Sequence, residues 1–191
     1  KVIVAGGTER PDATAASSSA FAIDLANLNA GWKELPLCAG SGRMLAQSAG
    51  TKDTFYLFGG VALNPGAKGV EREFLSDCHA FTLGKEWRRL AALPRPVAGA
   101  PSPCPVFDDR ILLLGGDDGR QSGKVDASKH AGYPKSVLYY DKAADVWTDA
   151  GEGSAGVLST GCAKWSGGYA VSNGESRPFE RTAEGWLLRP E

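Results

Sequence analysis

Arg110-Ile-Leu-Leu-Leu-Gly-Gly116 is an apolar run of strand-forming residues that stops at a diglycine. Two copies stand upstream, Lys1-Val-Ile-Val-Ala-Gly-Gly7 and Thr54-Phe-Tyr-Leu-Phe-Gly-Gly60. A degraded copy, Gly168-Tyr-Ala-Val-Ser-Asn-Gly174, stands downstream. The closing glycines at 7, 60, 116 and 174 are therefore 53, 56 and 58 residues apart. After each diglycine come a loop, a short aromatic or apolar strand, and a tryptophan. The strands are Ala20-Phe-Ala-Ile-Asp24, His79-Ala-Phe-Thr-Leu83 and Val137-Leu-Tyr-Tyr-Asp141. The tryptophans, Trp32, Trp87 and Trp147, lie 25, 27 and 31 residues past the glycine.

A period near 50 in this order is the signature of kelch-type propeller blades. No stretch carries a convincing helical period, so an all-β chain of four-stranded antiparallel blades is expected. Blade units fall at approximately 1–44, 45–101, 102–159 and 160–191, about three and a half blades in one partial propeller domain. Inner strands are expected at 45–49, 102–107 and 160–165, and a last strand at 169–172. Residues 61–75 and 117–135 read as long loops, because each is rich in polar and turn-forming residues. A partial ring leaves open sheet edges, so other blades are needed to close it.

Hydrophobic residues make up 42% of the 191, which fills one core. Charges nearly balance, 21 basic against 22 acidic, and no basic cluster stands out, so nucleic acid is not an expected partner. No apolar run approaches the length of a membrane span, so a membrane is not expected either. The chain starts at Lys1 inside an expected strand, which reads as an incomplete N-terminus and leaves targeting open. Cys38, Cys78, Cys104 and Cys162 form no C-x-x-C pair, against a zinc ribbon or redox motif. Buried thiols are the ordinary reading, a disulfide is the other, and the compartment is left open with them.

In an antiparallel blade the loops after the diglycines gather on one face. That face collects 8–19, 61–75, 117–135 and 174 onward, together with the blade-to-blade connections 36–44, 91–101 and 149–159. Long loops on a rigid scaffold are where binding sits. Arg43 precedes an inner strand and can hold a carboxylate with two parallel hydrogen bonds, or form a salt bridge to a neighbouring blade. Asp117-Asp118-Gly119 can bind a cation or hydroxyl groups, or be turn chemistry. His79 and His130, the only histidines, lack paired ligand spacing, so no metal is expected. Gly119-Arg-Gln-Ser-Gly-Lys124 fails as a phosphate loop, because Asp118 and Val125 occupy required positions. The strongest candidate is Asn173-Gly-Glu-Ser-Arg-Pro-Phe-Glu-Arg-Thr182, where the repeat departs from its own rule. There a carboxylate, Glu175, follows Gly174 directly, and guanidinium groups follow at Arg177 and Arg181. Such a set can move protons on a small anion or form a surface ion pair.

This segment resembles the motif of the bacterial kelch-type N-acetylneuraminate epimerases, the sialic acid mutarotases. Their pattern is Gly-Glu, a basic residue and Pro, then Arg-Thr, matched by Gly174-Glu175, Arg177-Pro178 and Arg181-Thr182. Gly42-Arg43 with Phe55-Tyr-Leu-Phe-Gly-Gly60 also fits. Gly115-Gly-Asp-Asp-Gly119 with Lys129-His130 and Tyr133-Pro134 is similar to the cyclically permuted branch. The resemblance implies six blades, of which this chain holds the C-terminal half or slightly more. The remaining blades would come from a missing N-terminal part or a second copy. It implies interconversion of the α and β anomers of N-acetylneuraminate without metal or organic cofactor, and a periplasmic or secreted setting. Glu175 matches the family's acid/base residue and Arg181 its partner. Because arginine stays charged, Arg181 suits the substrate carboxylate or charge developing on oxygen. Arg43, Arg177, Asp117 and Asp118 are the further expected substrate contacts. The rival reading is a non-catalytic kelch module that binds a glycan or a protein. A copper radical oxidase would need several His and Tyr ligands, which two scattered histidines do not provide.

Overall fold

The computed structural model describes residues 1–67 and 69–189. The chain is an all-β propeller segment of antiparallel sheets, each strand pairing with its neighbour in blade order. The first sheet contains β1 (Val2–Ala5), β2 (Ala20–Ile23) and β3 (Lys33–Leu35). β4 (Gln47–Gly50) and β5 (Thr54–Phe58) begin the second. Between β5 and the rest of that sheet stands a separate hairpin, β6 (Val61–Gly66) and β7 (Gly69–Phe74). β8 (Cys78–Thr82) and β9 (Trp87–Leu90) complete the order β4-β5-β8-β9. The third sheet is β10 (Val106–Phe107), β11 (Arg110–Leu114), β12 (Ser136–Asp141) and β13 (Val146–Glu152). The fourth begins with β14 (Cys162–Trp165) and β15 (Gly168–Ser172). A small hairpin follows, β16 (Glu175–Arg177) and β17 (Glu180–Arg181), and then β18 (Gly185–Leu188) pairs back on β15. No helix is long and apolar enough to cross a membrane among the described residues.

Three expectations need correction. Residues 61–75 are not a loop, because Val61↔Phe74 through Gly66↔Gly69 pair as a two-stranded ribbon. Pro65 is tolerated there because a ribbon edge needs no donor from it. The inner strand expected over 102–107 shrinks to Val106–Phe107, since Pro103 and Pro105 bring no N–H to a ladder. The strand expected as the last, 169–172, is followed by three more, β16, β17 and β18. Trp186 sits on β18 opposite Val171, a third strand rather than the position held by the other tryptophans.

The diglycine has a steric reason. Both members take positive φ in all three copies: Gly6 and Gly7 at 75° and 98°, Gly59 and Gly60 at 54° and 101°, Gly115 and Gly116 at 63° and 88°. A Cβ on Gly59 would lie 2.3 Å from the Val97 carbonyl oxygen. In the degraded copy Asn173 takes φ 52°, which asparagine accepts better than other side chains.

The core lies between blades. Tyr56, Phe58, Leu90, Val97, Ile111, Leu113, Leu138 and Tyr140 fill the seam of the second and third sheets. Leu114, Val157, Cys162, Tyr169 and Val171 fill the next. Each outer-strand tryptophan staples its sheet to the previous one: Trp87 Nε1 donates to the Pro36 carbonyl at 2.9 Å, and Trp147 Nε1 to that of Ala91 at 3.0 Å. Trp147 packs edge-on to Phe58 with centroids 5.1 Å apart. All four cysteines are buried free thiols.

A candidate active site in a cleft between blades

Successive blades are also tied where their inner segments begin. Gly99 N–H donates to the Leu45 carbonyl at 2.8 Å and Ser159 N–H to the Gly99 carbonyl at 2.9 Å. In the second, third and fourth sheets the residue after the closing glycine is fixed against the neighbouring inner segment by an antiparallel bridge: Met44 with Val61, Ala98 with Asp117, Leu158 with Glu175. Backbone geometry of the repeat therefore delivers Asp117 and Glu175 to equivalent points of adjacent blades.

Both acids line one cleft of about 410 Å³. Its walls come from four directions: Arg72 and Phe74 on the β6–β7 hairpin, the loop between β11 and β12 with His130 and Tyr133, the inner segments at Leu45 and Leu158, and Pro178 and Phe179 of the β16–β17 turn. Tyr133 is buried and donates its hydroxyl to Glu175 Oε1 at 3.1 Å. Burial first, and then the charge of Glu175, push the phenol well above its ordinary value, so Tyr133 remains a donor. His130 is 5% exposed, and its Nδ1 accepts the Gly132 N–H at 3.1 Å. Burial also pushes the Asp117 carboxyl up. Asp118 adds to this, while the Gly119 amide, His130 and Arg72 oppose it.

The expected site residues separate into two groups. Glu175 and Asp117 meet in the cleft. Arg181 is the direct cross-strand partner of Glu175 in the hairpin, yet its side chain is exposed and does not line the cleft. Arg177 forms an ion pair with Glu180 at 2.7 Å and faces a separate groove beside the hairpin. Asp118 accepts the Arg120 amide at 3.0 Å, and Asp117 Oδ1 accepts the Gly119 amide at 2.9 Å, so Asp117-Asp118-Gly119 does make a turn. Asp118 also pairs with Arg120.

Arg43 takes the second of its two expected roles, a salt bridge within the protein. It is 1% exposed, and its guanidinium is bound bidentately to Asp77 at 2.8 and 2.7 Å, with further bonds to the Gly59 and Ser41 carbonyls. A buried cation must be paired, and the partner here is protein rather than a substrate carboxylate. His79 Nε2 also meets Asp77 at 2.8 Å. Burial alone would raise the Asp77 carboxyl, but the hydrogen bonds from His79 and Arg43 outweigh it and hold the group well below the usual carboxylate range.

Arg72, Tyr133 and His130 escaped the sequence reading as site residues. Tyr133 had a visible signal in Tyr133-Pro134, without a role. Arg72 had none, because its hairpin read as a loop. No group of three or more His, Cys, Asp or Glu side chains is arranged to hold a metal among the described residues.

No family model matches the chain. Over 200 residues it is 28% identical to the N-acetylneuraminate epimerase of Yersinia enterocolitica, covering 90% of this chain and 50% of that protein. The solved structure of YjhT superposes with a TM-score of 0.64 at 20% identity, covering 93% of this chain and 59% of that one. This chain thus spans about half the length of the curated relative it matches. The structural likeness establishes the propeller fold, and in sequence the chain resembles the N-acetylneuraminate epimerases.

Proposed function

We propose that this chain carries the proton-handling part of a sugar mutarotase, an isomerase that interconverts the α and β anomers of N-acetylneuraminate. The observation that carries this reading is Glu175. It stands in the motif that matches the epimerases, and its carboxylate lies in a cleft between two blades, beside the hydroxyl of Tyr133. Mutarotation asks little of a protein: a base for the anomeric hydroxyl proton, a donor for the ring oxygen, and a cation for the acid's own carboxylate. Glu175 is the base. Arg72 lines the cleft and forms no salt bridge among the described residues, so it receives the substrate carboxylate. Arg181, exposed across the hairpin and outside the cleft, is left without a direct contact in this reading. The blade units run at about 1–44, 45–101, 102–159 and 160–191. Further blades, on the same polypeptide or from a second copy, complete the ring.

Proton NMR of freshly dissolved α-N-acetylneuraminate tests this with the full-length protein and its Glu175→Gln form. The wild type is expected to speed equilibration and the variant to lose at least about a hundredfold of that effect. A wild type no faster than buffer overturns the reading. In that case the exposed Phe179, at 93%, and exposed Arg181 favour a glycan- or protein-binding module.

A further inference from the structure

Ring opening needs two proton movements, and Glu175 accounts for one. Arginine is a poor donor because it stays charged. Tyr133 already donates to Glu175. A second group must therefore deliver a proton to the ring oxygen.

Asp117 is held as Glu175 is held. Asp117 and Ala98 exchange two backbone hydrogen bonds at 2.9 Å, and Glu175 and Leu158 exchange two at 3.0 and 2.9 Å. The two side chains thus leave adjacent blades from the same point of the repeat and line the same cleft. The matching residue is Val61 in the second sheet and Thr8 in the first, so the acid belongs to these two blades and not to the repeat. We propose that Asp117 is the second proton-handling residue of this site, trading roles with Glu175 in the two halves of the reaction.

This inference rests on the mutarotase reading. In the opening half, the Glu175 carboxylate takes the anomeric hydroxyl proton. The anomeric carbon forms a carbonyl as its bond to the ring oxygen breaks, with the electron pair going to that oxygen. The Asp117 carboxyl gives its proton there. After rotation about the adjacent carbon–carbon bond, the former ring oxygen attacks the other face of the carbonyl. Asp117 then takes that hydroxyl's proton, and Glu175 returns its own to the carbonyl oxygen. Atoms and charge balance, and both residues are reset.

The surroundings suit these roles. Asp117 Oδ1 accepts the Gly119 amide, leaving Oδ2 to carry a proton. Burial favours its neutral form. The charged and titratable groups facing it are Asp118 from its own turn, His130 and Tyr133 from the same loop, Arg72 from the hairpin and Glu175 from the next blade. Environments that differ for two carboxyls in one pocket are how one becomes acid and the other base.

Asp117→Asn keeps an acceptor for the Gly119 amide and removes the acid. Asp117→Ser does the same through a hydroxyl. Anomer exchange is measured by NMR from about pH 4 to pH 9 with the full-length protein, beside thermal melting. Both variants are expected to melt like the wild type, to lose about a hundredfold or more in kcat with KM changed by less than about threefold, and to lose one limb of the pH profile. Asp117→Glu is expected to recover part of the rate and that limb. If the wild type is active and both variants keep its rate, or lose rate with the pH profile intact, Asp117 is a turn residue only and the inference falls while the mutarotase reading stands. A wild type without activity removes both.

Discussion

Tyr133, on the loop between β11 and β12, reaches into the next blade and donates its hydroxyl to Glu175 Oε1 at 3.1 Å. The bond joins a sheet of regular four-strand pattern to the one whose repeat is degraded, and it fixes where the carboxylate points. Tyr133 stays protonated because burial disfavours its phenolate. It is therefore a positioning residue for Glu175. Tyr133→Phe leaves the ring packed on His130, whose centroid is 5.0 Å away, and removes only the hydroxyl. We expect kcat for anomer exchange to fall about tenfold, in line with about 1.5 kcal/mol for one lost bond to a charged group. KM and melting temperature should stay near wild type. An unchanged kcat would show that the rest of the cleft positions Glu175 without it.

Arg43 and Arg72 exchange the roles that position alone would assign. Arg43 is buried in a bidentate pair with Asp77, and Arg72 is exposed at the rim of the cleft. Arg43→Ala is expected to destabilise the fold by about 3 kcal/mol, because it strands Asp77 and frees the Gly59 carbonyl. Arg72→Ala should leave denaturation unchanged and raise KM about tenfold or more, through the loss of a charge-assisted contact. Urea denaturation and substrate titration of the two variants check this. A folded, fully stable Arg43→Ala protein with raised KM would return Arg43 to the site.

What could be read from the sequence was what repeats. The diglycines, the tryptophans and the aromatic third strands recur because each blade solves one packing problem, so their period is visible. Glu175 was visible for the opposite reason, in a segment where the diglycine gives way to Asn173-Gly174 and two arginines follow the acid. Arg72 was invisible, because the β6–β7 hairpin replaces what the repeat marks as a loop, and its Asn64-Pro65-Gly66 reads as a turn-rich loop. The partner of Arg43 was invisible too. Asp77 lies 34 residues away, and only the packing of the loop before β8 against the loop before β4 brings the two together.

The Asp77 network gives stability a defined pH dependence. Its carboxyl lies below its unfolded value, so the associated stability is present above about pH 4 and is lost as pH falls through the depressed folded value. Urea midpoints of the wild type are expected to drop between pH 7 and pH 3. Asp77→Asn should be less stable at pH 7 and lose less between the two values. Parallel declines in both proteins would assign the acid sensitivity to other carboxylates.

The diglycine makes the last contrast, between two glycines that both take positive φ and differ in surroundings. Gly59 has φ 54°, and a Cβ there would meet the carbonyl oxygens of Val97 at 2.3 Å and Leu75 at 3.0 Å. Those atoms cannot withdraw cheaply, since Gly60 N–H donates to the same Val97 carbonyl at 2.8 Å and Leu75 N–H to the Gly60 carbonyl at 2.9 Å. Gly7 has φ 98°, and its Cβ would find nothing within 4 Å. Gly7→Ala therefore carries only the strain of a left-handed residue, about 1–2 kcal/mol. Gly59→Ala adds a backbone clash that must open the seam between the second and third sheets, and should cost about 3 kcal/mol or more. Denaturation midpoints of the two variants separate the terms. Equal losses would mean that positive φ alone, and not close approach between blades, explains why the strand ends in two glycines.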